Sequence, residues 1–170
     1  MRTRVLIRST VLCLVGLVVV LLNAAPPAAA LLGGTPTIIV NRTGNALESF
    51  TVSEISVNRG IAVAAENADF SIVVSAQFLS GGDPAAVVVP CGIQITPDKD
   101  AEISRGGDVP LVPHTHVFEE LVVKAIEEKL NLGESLTLEV TLDLILTDAD
   151  GGVHVLDSVT ASGTVNPMQD

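Results

Sequence analysis

Between Leu136 and Thr147 apolar and polar residues alternate with one period. Leu136, Leu138, Val140, Leu142, Leu144 and Leu146 fall on one side of an extended chain, and Thr137, Glu139, Thr141, Asp143 and Thr147 on the other. Period two predicts a half-buried antiparallel strand, with Ile145 the one residue out of phase. Phe70, Ile72, Val74, Ala76 and Phe78 repeat the pattern. Ser49 to Val57 reads as a strand whose apolar phase moves from Phe50 and Val52 to Ile55 and Val57, which predicts a bulge near Ser53-Glu54. Thr35 to Arg42 and Ile61 to Glu66 are shorter strand candidates, the first set off by a Gly44-Asn45 turn. Ala86 to Ile95 is apolar and β-branched, but Pro90 lacks a ladder donor, so an edge strand or a bulged one is expected. Val153 to Val165 pairs with the long strand through the Asp148 to Gly152 turn.

Only Val117 to Leu132 changes period. Val117, Phe118, Leu121, Val122, Ala125, Ile126 and Leu130 recur at three and four residues, which predicts an amphipathic helix capped by Thr115 and ended by Gly133. A Glu120-Lys124 pair supports it. Thr96 to Pro113, broken by prolines and Gly106-Gly107, is expected to be a loop with one or two short strands. About seven strands with one helix before the last long hairpin describe an all-β, immunoglobulin-like antiparallel sandwich.

Composition adds a compartment. Met1 to Ala30 combines Arg2, Arg4 and Arg8, a twelve-residue apolar run from Val11 to Leu22, and small residues at Ala28 and Ala30. That is the layout of a cleavable secretory leader; the run is short of the ~20 residues needed to span a bilayer. The expected organisation is a leader over 1–30, an N-terminal strand and linker over 31–48, a sandwich over 49–166 and a tail over 167–170. Removing the leader takes three of nine basic residues and none of twenty acids, so the net charge falls from −11 to −14. Such a surface repels nucleic acid and anionic lipid. Membrane contact is expected only through an uncleaved leader. Cys13 lies within the apolar run, so Cys91 is the one cysteine of the mature chain and has no disulfide partner there. A buried, inert thiol is the plainer expectation for it.

Candidate chemistry is sparse. His114 and His116, at i and i+2 on an extended segment, point the same way and make a metal pair that Asp108, Glu119 or His154 would complete; the alternative is two polar residues ahead of a helix. Asp148 and Asp150 open like a calcium loop, but no closing glutamate follows, and a hairpin turn explains the same residues. Asp98, Asp100 and Glu102 form a further acidic cluster whose plainer reading is a solvated loop. No nucleophile elbow occurs and no histidine neighbours Cys91 in sequence, so the chain is expected not to be an enzyme. No cofactor is expected, with calcium the alternative. Asn41-Arg42-Thr43 is a glycosylation sequon. The chain has no Trp or Tyr, which removes the stacking platform used for sugars and single-stranded nucleic acid.

Glu66-Asn67-Ala68-Asp69-Phe70-Ser71-Ile72, the late helix and the closing Ser162-Gly163-Thr164-Val165 together resemble the LEA-2 type of water-stress proteins. Asn67-Ala68-Asp69 stands where that family has Asn-Pro-Asn. The resemblance implies an immunoglobulin-like sandwich without catalytic residues. The expectation is therefore a secreted, non-enzymatic protein with a structural or interaction role at the cell surface, partnered by itself or by other surface proteins. Thr35, Thr37, Ile38, Ile39 and Val40 would then form a strand that adds to a neighbour and builds filaments, with head-to-tail addition giving an open assembly. A monomeric protective or ligand-binding protein, or a calcium-dependent module, is the alternative.

Overall fold

The computed structural model describes residues 30–100 and 107–168. Among the described residues eight strands and two helices follow in order: β1 Leu32–Thr43, β2 Ala46–Asn58, α1 Arg59–Ala64, β3 Asp69–Ser80, β4 Asp83–Gln94, β5 Asp108–Pro110, β6 His114–Val117, α2 Glu120–Asn131, β7 Leu136–Thr147 and β8 Val153–Val165. Every pairing is antiparallel. One sheet has the order β1-β2-β5, with β6 also on β2; the other has the order β4-β3-β7-β8. The chain is an antiparallel β-sandwich.

Its centre is the β3–β7 ladder, where Ile72, Val74, Ala76 and Phe78 stand opposite Leu144, Leu142, Val140 and Leu138. All eight are buried, and Leu138, Val140, Leu142 and Leu144 have no exposed surface. Each of them but Ala76 contributes about 1.5–3 kcal/mol of burial free energy. Between Leu144 and Ile145 the β7–β8 register shifts by the extra residue Leu156 of β8; Leu146 is only half-buried and Ile145 stands outside the core cluster, so the predicted wall ends one residue pair early.

Two other bulges fall where the sequence loses its phase. Opposite Glu54, β1 carries Thr35 and Pro36, and Glu54 takes a left-handed φ of 59°. Gly34, with φ of 90°, approaches so closely that a Cβ there would lie 2.0 Å from the Glu54 carbonyl oxygen. Phe50 and Val52 before the bulge, and Ile55 and Val57 after it, are all buried, which is the phase change the sequence displayed. In β4, Val89 and Pro90 stand against the single Ser75, and β4 is an edge strand as expected.

Two expectations fail. Ile61 to Glu66 is not a strand: Asn58 Oδ1 accepts the Gly60 N–H at 2.8 Å and starts the short helix α1. An Asn cap ahead of alanine-containing sequence outweighs two β-branched residues, Ile61 and Val63, neither of them fully buried. The late helix begins at Glu120 rather than near Thr115, because His114 to Val117 pair with Val52 to Ser49 and are drawn into β6. Its cap position is Glu119, without a side-chain cap bond, and Leu121 is exposed. Val122, Ile126 and Leu130 form the buried stripe, and the Glu120–Lys124 pair closes at 2.6 Å. α2 spans from β2 to β4 and so bridges the sheets along one side.

Candidate metal centre

The side bounded by β4 and β6 gathers Cys91, His114 and His116. β4 would present Val88 and Cys91 on opposite faces if it were regular, since they are three residues apart. The bulge at Val89-Pro90 restores the phase: Val88 is buried, Val89 is exposed, and Cys91 turns in opposite Val74. On β6 the alternation is regular. Thr115 faces out, its hydroxyl 2.8 Å from that of Thr51, so His114 and His116 face in. His116 pairs in register with Phe50 and its ring lies against the Phe50 ring, with centroids 5.5 Å apart.

Cys91, His114 and His116 thereby bring one ligand atom each within 4.8 Å of one another. Cys91 Sγ lies 3.6 Å from His114 Nε2. The corresponding sulfur–nitrogen edge of a tetrahedral zinc site, from bonds of about 2.3 and about 2.05 Å, is about 3.6 Å. His116 Nε2 is buried and has no hydrogen-bond partner. An orphaned buried ring nitrogen costs on the order of 1–3 kcal/mol unless something binds it.

The electrostatics favour a ligand set over a nucleophile. Burial pushes the Cys91 thiol above its ordinary value. Burial, and then the neighbouring His116, hold His114 below the usual histidine value. An activated cysteine needs the reverse, a lowered thiol pKa beside an imidazolium. Neutral imidazoles are ready ligands, and a cation would displace the thiol proton. Cys and His donors suit Zn²⁺ and copper rather than calcium or magnesium. Three protein ligands leave a fourth position for water or another donor. Beside His114 opens a cleft of about 280 Å³, lined also by Ile55, Ile93, Gln94, Thr96 and Leu111.

The other sequence candidates lie elsewhere. His154 does not join His114: its Nε2 is 2.9 Å from Asp148 Oδ2, at the turn of the β7–β8 hairpin. Asp148 Oδ1 accepts the N–H groups of Asp150 and Gly152 at 3.0 and 2.7 Å. These bonds, that from His154 foremost, hold the Asp148 carboxyl below its ordinary value. Asp148 therefore builds the turn, and Asp150 is exposed on it. Asp108 is on β5 and Glu119 caps α2, so neither completes the histidine pair. Asp98 Oδ1 accepts the Asp100 N–H at 3.0 Å, and Glu102 is outside the described residues. Asn41 is exposed in β1, donating to Ser49 Oγ at 3.0 Å. Thr35, Thr37, Ile38, Ile39 and Val40 lie in β1, which is laddered to β2 of its own chain from Leu32 to Thr43. The predicted leader over 1–30, apart from Ala30, lies outside the described residues, Cys13 with it. Among the described residues no helix is long and apolar enough to cross a membrane.

No family model matches the chain, and no curated protein matches it. A solution structure of a protein from Arabidopsis thaliana is similar, at 13% identity over 82% of this chain and 83% of that one, with a TM-score of 0.44.

Proposed function

We propose that this chain is an exported, non-enzymatic β-sandwich that binds a borderline transition-metal ion, Zn²⁺ in the first instance, through Cys91, His114 and His116. The carrying observation is the buried, partnerless His116 Nε2 converging with two further donors of the right chemistry. Cys91 comes from an edge strand of one sheet and the histidines from an edge strand of the other. A bound ion would therefore tie the sheets together where no ladder does. Export and an acidic surface suit a module that works outside the cell, singly and without catalysis, in line with the LEA-2 resemblance. Filament growth by donation of Thr35–Val40 would have to break the β1–β2 ladder, so the monomeric binding module is the reading preferred here.

The test is a melting experiment on the reduced mature chain. At a hundredfold excess over Kd, binding to the folded state alone contributes about 2.7 kcal/mol, which raises Tm by roughly 5–10 °C. The expected result is such a rise with Zn²⁺, absent in Cys91→Ser and absent with Ca²⁺. No rise with Zn²⁺ or copper, or an equal rise in Cys91→Ser, rules the site out.

A further inference from the structure

The opposite side of the sandwich carries an unusual arrangement at the first residues of β1. Leu31 and Leu32 both donate their backbone N–H groups to one oxygen, Asp157 Oδ2 on β8, at 2.7 and 2.9 Å. The Leu31 carbonyl accepts the Asn58 N–H at 2.9 Å, so ordered pairing with β2 begins at this residue. Leu32 is 5% exposed, and Asp157 and Leu31 are half-buried. Asp157 Oδ1 accepts the Ser158 N–H at 2.8 Å. These backbone bonds, that from Leu32 foremost, hold the Asp157 carboxyl below its ordinary value. The other acid at this end of β1 is Asp108 on β5, against Gly33. Ala30, the residue before, is exposed.

The sequence marks the same point independently. Ala28 and Ala30 are the small residues that follow a basic and then an apolar segment, so the predicted cut is the Ala30–Leu31 bond. Pattern and structure thus meet on one nitrogen atom.

We propose that the chain is cut between Ala30 and Leu31 by an endopeptidase selecting small residues, and that Asp157 is the built receptor for the α-ammonium group so released. Water adds to the Ala30 carbonyl carbon and the carbon–nitrogen bond breaks. Ala30 leaves as a carboxylate, and the Leu31 nitrogen, keeping the bonding pair, is protonated near neutral pH. A hydrogen bond from a neutral amide to Asp157 becomes one from a cation. Charge-assisted bonds of this type are shorter and roughly twice as strong. The uncut chain has only the weaker bond at this position, so removal of the leader tightens the seam between β1 and β8. The processing site is independent of the metal centre, and either can fail alone.

The experiment has two parts. Mass spectrometry of the exported chain is expected to give a mature N-terminus at Leu31; a different terminus or an uncut leader overturns the proposal. A chain beginning at Leu31 is then compared with one beginning at Ala28. The first is expected to melt about 3–5 °C higher. Acetylating its α-amino group, which keeps the N–H and removes the charge, abolishes that difference. Asp157→Asn costs the Leu31 form more than the Ala28 form. Equal melting temperatures, or no effect of acetylation, contradict the assignment even if Asp157→Asn does not fold.

Discussion

The two long sides of this sandwich are closed by different chemistry. Where β1 meets β8, the seam is pinned at both ends: Asp157 holds the Leu31 and Leu32 amides, and Arg42 Nη1 donates to the Asn166 carbonyl at 2.6 Å. Between them Ile38 faces Gly163. Where β4 faces β6, the sheets are bridged at one end by α2 and by Phe118, whose ring lies 5.5 Å from both Phe50 and Phe78. The other end is a cleft and three donor side chains, one of them without a partner. On the first side each contact joins a charged side chain to backbone, the Asp157 carboxylate to two N–H groups and the Arg42 guanidinium to a carbonyl. On the second, side chains that bind metals are brought together instead, and stability is exchanged for a site.

Breaking the wall that both seams share has the largest effect. Leu142→Asp places an unpaired charge where there is no exposed surface and is expected to abolish folding, because the cost exceeds the ~5–15 kcal/mol margin of a typical domain or consumes most of it. Thr141→Asp, on the outer face where Thr141 meets Thr160, is expected to stay folded. Circular dichroism on the pair checks this, and equal tolerance would contradict the assignment of faces. A smaller effect separates the seams. Asp157 has a folded-state pKa below its unfolded one, so its contribution is fully present above the ordinary carboxylate range and is lost as pH falls through the folded value. Melting temperatures from pH 6 down to pH 2 should therefore drop less steeply in Asp157→Asn than in the parent chain, while variants at Cys91 should leave the acid limb unchanged. The smallest effect lies at the metal seam without metal. His116→Phe removes an orphaned nitrogen and keeps a ring against Phe50, so the apo protein is expected to change by less than about 1 kcal/mol, or to gain, while losing all Zn²⁺ stabilisation.

The sandwich was legible because its core strands are long and alternate, and because β2 and β4 advertise their bulges as a slipped phase and a proline. Thr115 misled because local capping chemistry lost to four ladder pairs with β2 that no local pattern encodes. Ile61 to Glu66 has neither period clearly, and the Asn58 cap decided it. His114 and His116 were recognisable as a pair from their spacing alone. Their third member was not, since Cys91 comes from the other sheet and reaches them only because the bulge reverses its face. Pro90 was the available signal: a ladder-breaking residue just before a cysteine implies a change of direction there. Asp157 gave no signal in sequence, because what it holds is backbone.

The most direct test of the metal centre is the visible absorption of the reduced mature chain titrated with Co²⁺, a spectroscopic stand-in for zinc. One equivalent is expected to bind with tetrahedral d–d bands and a thiolate-to-cobalt charge-transfer band that vanishes in Cys91→Ser, followed by displacement by Zn²⁺. A titration without either feature, or one unchanged by Cys91→Ser, would mean that the three side chains are neighbours and not ligands.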